Sequence, residues 1–163
     1  RGYDLRTTEK NIQLYHQLSG RAGRFSSKSI IIYQTLNPDD STLKDLIKNK
    51  SEELLGNELA LREKNKLPPF IRLIAIIISS KDRSLSLQGA REIKLKLKQI
   101  SDLEVLGPVD SPLLKIKKNF RSRLLIRFSN RILMQKKISN VLNGLKISSK
   151  IKLTVDVDPI NFA

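Results

Sequence analysis

Leu73-Ile-Ala-Ile-Ile-Ile78 constrains the fold more than any other stretch: an unbroken apolar run with four β-branched residues, separated from Pro68-Pro69 by only Phe70-Ile71-Arg72. The proline pair stops any preceding helix and starts an extended segment, and β-branched side chains fit a pleated sheet. A strand is therefore expected over Phe70 to Ser79. A helix follows from Ser84 to Ile100, with Ala90, Ile93, Leu97 and Ile100 forming its apolar stripe. Glu104 to Leu106 reads as a short strand ended by Gly107-Pro108. Leu113 to Lys117 and Phe120 to Phe128 read as paired strands around a tight turn at Lys118-Asn119. Arg131 to Leu145 is a second helix and Ile151 to Val157 the closing strand. The order β-α-β-β-α-β over residues 69–163 predicts an α+β, ferredoxin-like split sheet with both helices on one face.

The residues before it have a different pattern. Ile12, Leu14, Tyr15 and Leu18 recur at helical spacing after Thr7 or Thr8, either of which can cap a helix. Ser29 to Thr35, with Ile30, Ile31, Ile32 and Tyr33 in succession, reads as a buried strand of an α/β sheet. Asn37-Pro-Asp-Asp-Ser opens a short helix carrying Leu43, Leu46 and Ile47. A further helix is expected over Ser51 to Lys64, its acids (Glu52, Glu53, Glu58) early and its cations (Arg62, Lys64) late, as the helix dipole favours. Residues 36–68 thus form a helical connector between two units.

The 163 residues contain no cysteine and one histidine, His16, which excludes disulfides and thiolate metal sites and leaves little for acid–base catalysis; no metal site is expected. No apolar run approaches the roughly 20 residues of a bilayer span, so a soluble, cytoplasmic protein is expected. The net charge of +15 favours a polyanionic partner, nucleic acid ahead of an acidic membrane surface. Residues 1–66 carry 12 Lys/Arg against 9 Asp/Glu, net +3, and residues 67–163 carry 19 against 7, net +12. The positive field belongs to the second part. Strand alternation places Arg121, Arg123, Leu125 and Arg127 on the side of their strand opposite the core residues Ser122, Leu124, Ile126 and Phe128. Lys115 and Lys117 are expected to join them while Leu114 and Ile116 face inward, and Lys150 and Lys152 extend the same side. Side-by-side cations on a sheet repel, so Lys115, Lys117, Arg121, Arg123 and Arg127 are the candidate phosphate contacts to DNA; a solvated basic face gives the same pattern. Phe120 is available to stack a base, and backbone-directed, sequence-tolerant contact is the expected mode.

Gln17-Leu-Ser-Gly-Arg-Ala-Gly-Arg24 places two arginines three residues apart in a turn broken by Gly20 and Gly23. Arginine presents a permanently charged, planar fork of donors that matches phosphoryl oxygens, and glycines let the backbone approach closely. Such a turn can direct Arg21 and Arg24 at a transferring phosphoryl group, the arginine-finger role. A basic surface turn is the plainer reading. Arg131 and Gln135 fall one helical turn apart, with Lys136 nearby, and can take a peptide carboxylate or acidic tail; an ordinary exposed helix face gives the same spacing. Asp156-Val-Asp158 is expected to balance Lys150 and Lys152 rather than hold a metal. There is no GxxxxGK[ST] phosphate loop, no DExH-type acidic motif and no nucleophile with a matching base.

Several blocks, in order along nearly the whole chain, carry a resemblance. They are Asp4-Leu-Arg6 with Glu9, Gln17 to Arg24, Gln34-Thr35, Glu58-Leu-Ala-Leu-Arg62, Pro68-Pro-Phe70, Val105-Leu-Gly-Pro108, Phe120-Arg121 with Leu124-Leu125, and Val155-Asp-Val-Asp-Pro159. The chain resembles the C-terminal part of the primosomal replication-restart DNA helicases, the primosomal protein N′ family of superfamily 2. The resemblance implies a bacterial, ATP-dependent 3′-to-5′ helicase that recognises stalled forks and helps reload the replicative helicase. It makes residues 1–35 the end of the second RecA-like lobe, with Gln17, Gly20, Arg21, Gly23 and Arg24 as the ATP-binding motif VI and Arg21 and Arg24 reaching the phosphates. Residues 69–163 become a C-terminal domain that is like a small ribosomal protein and contacts forked or single-stranded DNA, the acidic tail of single-stranded DNA-binding protein and other primosome proteins, at the bacterial nucleoid. ATP and Mg belong to the complete protein, and zinc to cysteines upstream of these residues. The phosphate loop and acidic ATPase motif are likewise expected upstream, leaving this chain inactive alone. Phe120 stands where a tyrosine is expected before Arg121, which keeps ring stacking and loses a hydroxyl. A stand-alone nucleic-acid-binding or ribosome-associated module without ATPase activity is the alternative.

Overall fold

The computed structural model describes residues 6–22, 30–48, 50–116, 118–129 and 132–160, with the backbone alone for 112–115. The chain divides into two units, Arg1–Lys64 and Asn65–Ala163.

In the first unit the helix α1 spans Thr7–Ala22 and continues through Gly20 and Arg21, where the sequence predicted a break. A single helical glycine costs only about 1 kcal/mol relative to alanine, and α1 absorbs it. Gly23 and Arg24 lie outside the described residues. Helix α2, Ser41–Ile47, starts at Asp40, whose carboxylate accepts the Leu43 N–H at 3.1 Å. Helix α3 spans Ser51–Lys64. Arg62 joins two helices: its guanidinium donates to Glu9 on α1 at 2.9 Å and to Glu58 one turn back on α3 at 3.0 Å, with its side chain only 12% exposed. The predicted strand over Ser29–Thr35 is not formed: residues 30–35 lack regular structure, and Ile30 and Ile32 are 89% and 88% exposed. A strand is held by hydrogen bonds to a neighbour, and no described strand in this unit supplies one. Tyr33 instead meets the Tyr15 ring edge-on, centroids 5.0 Å apart.

The second unit follows the order β1 (Arg72–Ser80), α4 (Arg83–Leu97), β2 (Leu103–Ile116), β3 (Asn119–Phe128), α5 (Ile132–Asn143) and β4 (Ile151–Val157). The strands form one sheet in the order β2-β3-β1-β4, every neighbouring pair antiparallel. This is the arrangement of a ferredoxin-like domain. Helix α4 starts at Asp82, which accepts the Ser84 N–H at 2.7 Å. The core lies between helices and sheet: Ile74, Ile76 and Ile78 of β1 and Leu124, Ile126 and Phe128 of β3 pack with Ala90, Ile93 and Leu97 of α4 and with Met134 and Ile138 of α5. Each buried Leu, Ile, Phe or Met side chain among them contributes about 1.5–3 kcal/mol. Ser86 and Ser122 are polar and fully buried, the Ser86 hydroxyl lying 2.9 Å from the Ile78 carbonyl oxygen and 2.8 Å from the Ser122 hydroxyl.

One correction concerns β2. The predicted short strand at 104–106 and the separate strand at 113–117 are a single edge strand, interrupted by register shifts between Leu106 and Val109 and between Asp110 and Lys115. Pro108 cannot donate to a ladder, and an edge strand tolerates it at such an irregularity. Each shift resets which side chains share a face. Ile116 consequently pairs with Asn119 and is 38% exposed, where the alternation counted from sequence had turned it inward. Gly107 has φ +92, and a Cβ there would meet the Arg123 carbonyl oxygen at 2.7 Å and the Val109 nitrogen at 3.2 Å. Both neighbours are backbone and cannot rotate away. Gly107→Ala is therefore expected to destabilise the second unit by about 2 kcal/mol, read as a lowered urea midpoint with unchanged slope.

Candidate nucleic-acid interface

The second face of the sheet, away from the helices, is set by the strand registers. Ser79 pairs with Arg121 on one side and Lys152 on the other, Ile77 with Arg123 and Thr154, Ala75 with Leu125 and Asp156, and Leu73 with Arg127. Its centre is not a solvated basic surface: Leu73, Ala75 and Ile77 are all buried, and Arg123 is only 6% exposed. The three arginines of β3 therefore occupy different environments.

Arg127, at one end, donates to the carbonyls of Asn65 at 3.1 Å and Lys66 at 2.7 Å and forms an ion pair with Glu104 at 3.5 Å. Arg123, in the middle, has its pKa held below the ordinary guanidinium value, first by burial and then by the charge of Arg121, while Asp156 acts in the opposite direction. Asp156 and Asp158 were expected to balance Lys150 and Lys152. Asp158 instead takes both ends of the Arg72 guanidinium, with Nε donating to Oδ1 at 2.7 Å, and Asp156 supplies negative charge to Arg123.

Arg121 stands at the other end, and the topology gathers more cations there. Lys81 follows β1, Lys118 sits in the β2–β3 turn at φ +68, and Lys150 and Lys152 flank the start of β4. Among the described residues, none of the ion pairs involves Lys81, Lys118, Arg121, Lys150 or Lys152. Lys81 and Lys118 were missed in the reading of the sequence because they lie in connections rather than on strands. The βαββαβ order could have found them, since it brings both connections to the end of the sheet where β4 begins. The other candidates fare differently. Lys117 and Arg131 lie outside the described residues, and Lys115 is described only by its backbone, opposite Phe120. Phe120 shares its side of β3 with Ser122 and Leu124, so it does not stand beside Arg121. Gln135 is half-buried on α5. Gln17, Gly20 and Arg21 are all exposed and share one face of the last turns of α1.

Residues 63–160 match the family described as the primosomal protein N C-terminal domain. The chain belongs to that family. Proteins called replication restart protein PriA are similar to it over nearly its whole length. The one from Rickettsia conorii is 31% identical across 98% of this chain, that of Borreliella burgdorferi 32% across 97%, and that of Chlamydia pneumoniae 34% across 96%. The chain spans only 24%, 24% and 21% of their respective lengths. The two halves of the Glu9–Arg62–Glu58 bridge come from separate blocks of the resemblance, and the fold joins them through one guanidinium.

Different environments give β3's arginines different mutational consequences. Arg127→Ala should cost about 1–2 kcal/mol of stability through its lost charged hydrogen bonds and leave retention on a DNA column unchanged. Arg121→Ala should do the reverse, eluting at lower salt from a protein of unaltered thermal midpoint.

Proposed function

We propose that the complete protein is an ATP-dependent 3′-to-5′ DNA helicase that restarts replication at stalled forks, and that this chain is its C-terminal portion. The observation that carries the reading is the alignment of 98% of the chain with a replication restart protein of which it spans 24%. Leu14, Leu18, Ile32, Leu55 and Leu59 are exposed in the first unit, which supports its assignment as the end of a RecA-like lobe that is completed by other residues.

In this reading Gln17, Gly20 and Arg21 on α1, with Gly23 and Arg24 after them, face the phosphates of ATP as motif VI. The described residues fit that role: Arg21 takes part in no described ion pair, and beyond the neighbouring residues and backbone of α1 itself no described atom lies within 4 Å of where a Gly20 Cβ would stand. ATP with Mg supplies the phosphoryl transfer that drives strand separation, and the arginines stabilise its developing charge. The phosphate loop, the acidic motif and the zinc-binding cysteines belong to the rest of the protein, and the isolated chain is inactive as an ATPase. The second unit binds forked or single-stranded DNA through the cations at the Arg121 end of its sheet. Arg131 and Gln135 are assigned to the acidic tail of single-stranded DNA-binding protein, and other primosome proteins complete the assembly at the nucleoid. No described helix is long and apolar enough to cross a membrane.

In the complete protein, Arg21→Ala or Arg24→Ala is expected to lower DNA-stimulated ATP turnover by about 10³-fold; near-normal turnover in both variants overturns the motif VI assignment. For the 163-residue chain, affinity for single-stranded DNA should fall steeply between about 50 and 200 mM salt. An affinity indifferent to salt would remove the basic end of the sheet from the proposal.

A further inference from the structure

The Arg121 end of the sheet is more than a charged rim. Ser79–Asp82 at the end of β1 and just beyond it, Asn119 at the start of β3 and Ser149–Lys152 around the start of β4 enclose a cleft of about 590 Å³, within the roughly 300–1,000 Å³ of small-ligand sites. Lys81, Lys150 and Lys152 contribute its positive charge. Its one acid, Asp82, is engaged at the start of α4, where it accepts the Ser84 N–H at 2.7 Å. The floor is apolar: Leu85 and Ile151 both line the cleft and both remain half-buried. An inorganic anion needs cations but no apolar floor of this size. A nucleotide uses both, with phosphate on ammonium groups and a base face on aliphatic carbon.

We propose that this cleft seats one unpaired nucleotide of a DNA strand, its flanking phosphates on Lys81, Lys150 and Lys152 and its base against Leu85 and Ile151. The proposal rests on the reading of the second unit as a DNA-binding domain and gives that domain a specific seat. The occupant is a strand rather than a free nucleotide because the cations do not stop at the cleft. Ser79 lines it and pairs with Lys152 on one side and Arg121 on the other, so a row of donors runs from the cleft onto the second face, where neighbouring phosphates of a polymer continue. The occupant is single-stranded because the bases of a duplex are stacked inside the helix and cannot reach the floor.

The test uses the 163-residue chain and a fluorescent oligo(dT) of about 12 nucleotides, titrated from about 50 to 200 mM salt. Removing all three cleft lysines (Lys81→Ala, Lys150→Ala, Lys152→Ala) should flatten the plot of log affinity against log salt by about 2, at roughly 0.7 per phosphate contact. A charge-matched control on α4, at its C-cap and on α5 (Lys96→Ala, Lys98→Ala, Lys137→Ala) should keep the wild-type slope. Equal flattening in both triples overturns the cleft and leaves a general field. Wild-type chain should also bind oligo(dT) several-fold more tightly than an abasic strand or a duplex with the same number of phosphates; equal affinity overturns the base seat. Absence of salt-dependent binding by the wild-type chain would instead defeat the DNA reading itself, a result distinct from failure of the cleft alone.

Discussion

Strand β1 is hydrogen-bonded along both edges, to β3 and to β4, and the rest of the C-terminal unit depends on that double pairing. A strand so placed can expose neither edge, and its run of Leu and Ile buries side chains on both faces. The helix-facing set, Ile74, Ile76 and Ile78, anchors the core with α4 and α5. The opposite set, Leu73, Ala75 and Ile77, makes the centre of the second face apolar, which determines the fate of the cations around it. With the pairing in register, Ser79 comes to lie between Arg121 and Lys152, and the connections that carry Lys81 and Lys118 arrive at the same end.

Arginines identical in sequence terms then separate by surroundings. A guanidinium surrounded by apolar groups loses hydration, and its removal from water costs several kcal/mol unless carboxylates and carbonyls replace the lost partners. Arg62, Arg72 and Arg127 have such partners within their own units, and Asp156 offsets part of the cost at Arg123. These side chains hold the structure together. Arg121, half-buried, and the exposed Lys81, Lys118, Lys150 and Lys152 at its end of the sheet take part in none of the described ion pairs.

The N-terminal unit shows where reading by local pattern runs out. Helical spacing through Ile12, Leu14 and Leu18 locates α1, but a glycine at position 20 suggests an end that the structure does not have, because the intrinsic penalty of one glycine is small enough for a helix to continue. Ile30 to Tyr33 has the composition of a buried strand, yet strand structure depends on a neighbour as much as on composition, and the described residues of this unit contain no neighbour. The motif blocks along the chain do not depend on local structure. Glu9, Glu58 and Arg62 are far apart in sequence and meet in one bridge.

The sequence by itself determined the helices α2 to α5, the β-α-β-β-α-β order of the C-terminal unit, the alternation that buries Leu124, Ile126 and Phe128, and the family to which the chain belongs. These follow from periodicity and from motif order, which are local or linear properties. Only the tertiary structure decided that β2 is one strand with two register shifts, that Arg123 is buried and Arg127 bonded to the Asn65 and Lys66 carbonyls while Arg121 joins none of the described ion pairs, and that lysines from separate connections share a cleft with Leu85 and Ile151. The physical reason is that register and burial depend on which residues lie opposite one another across strands, and a single bulge changes that pairing without changing the composition on which a reading of the sequence relies.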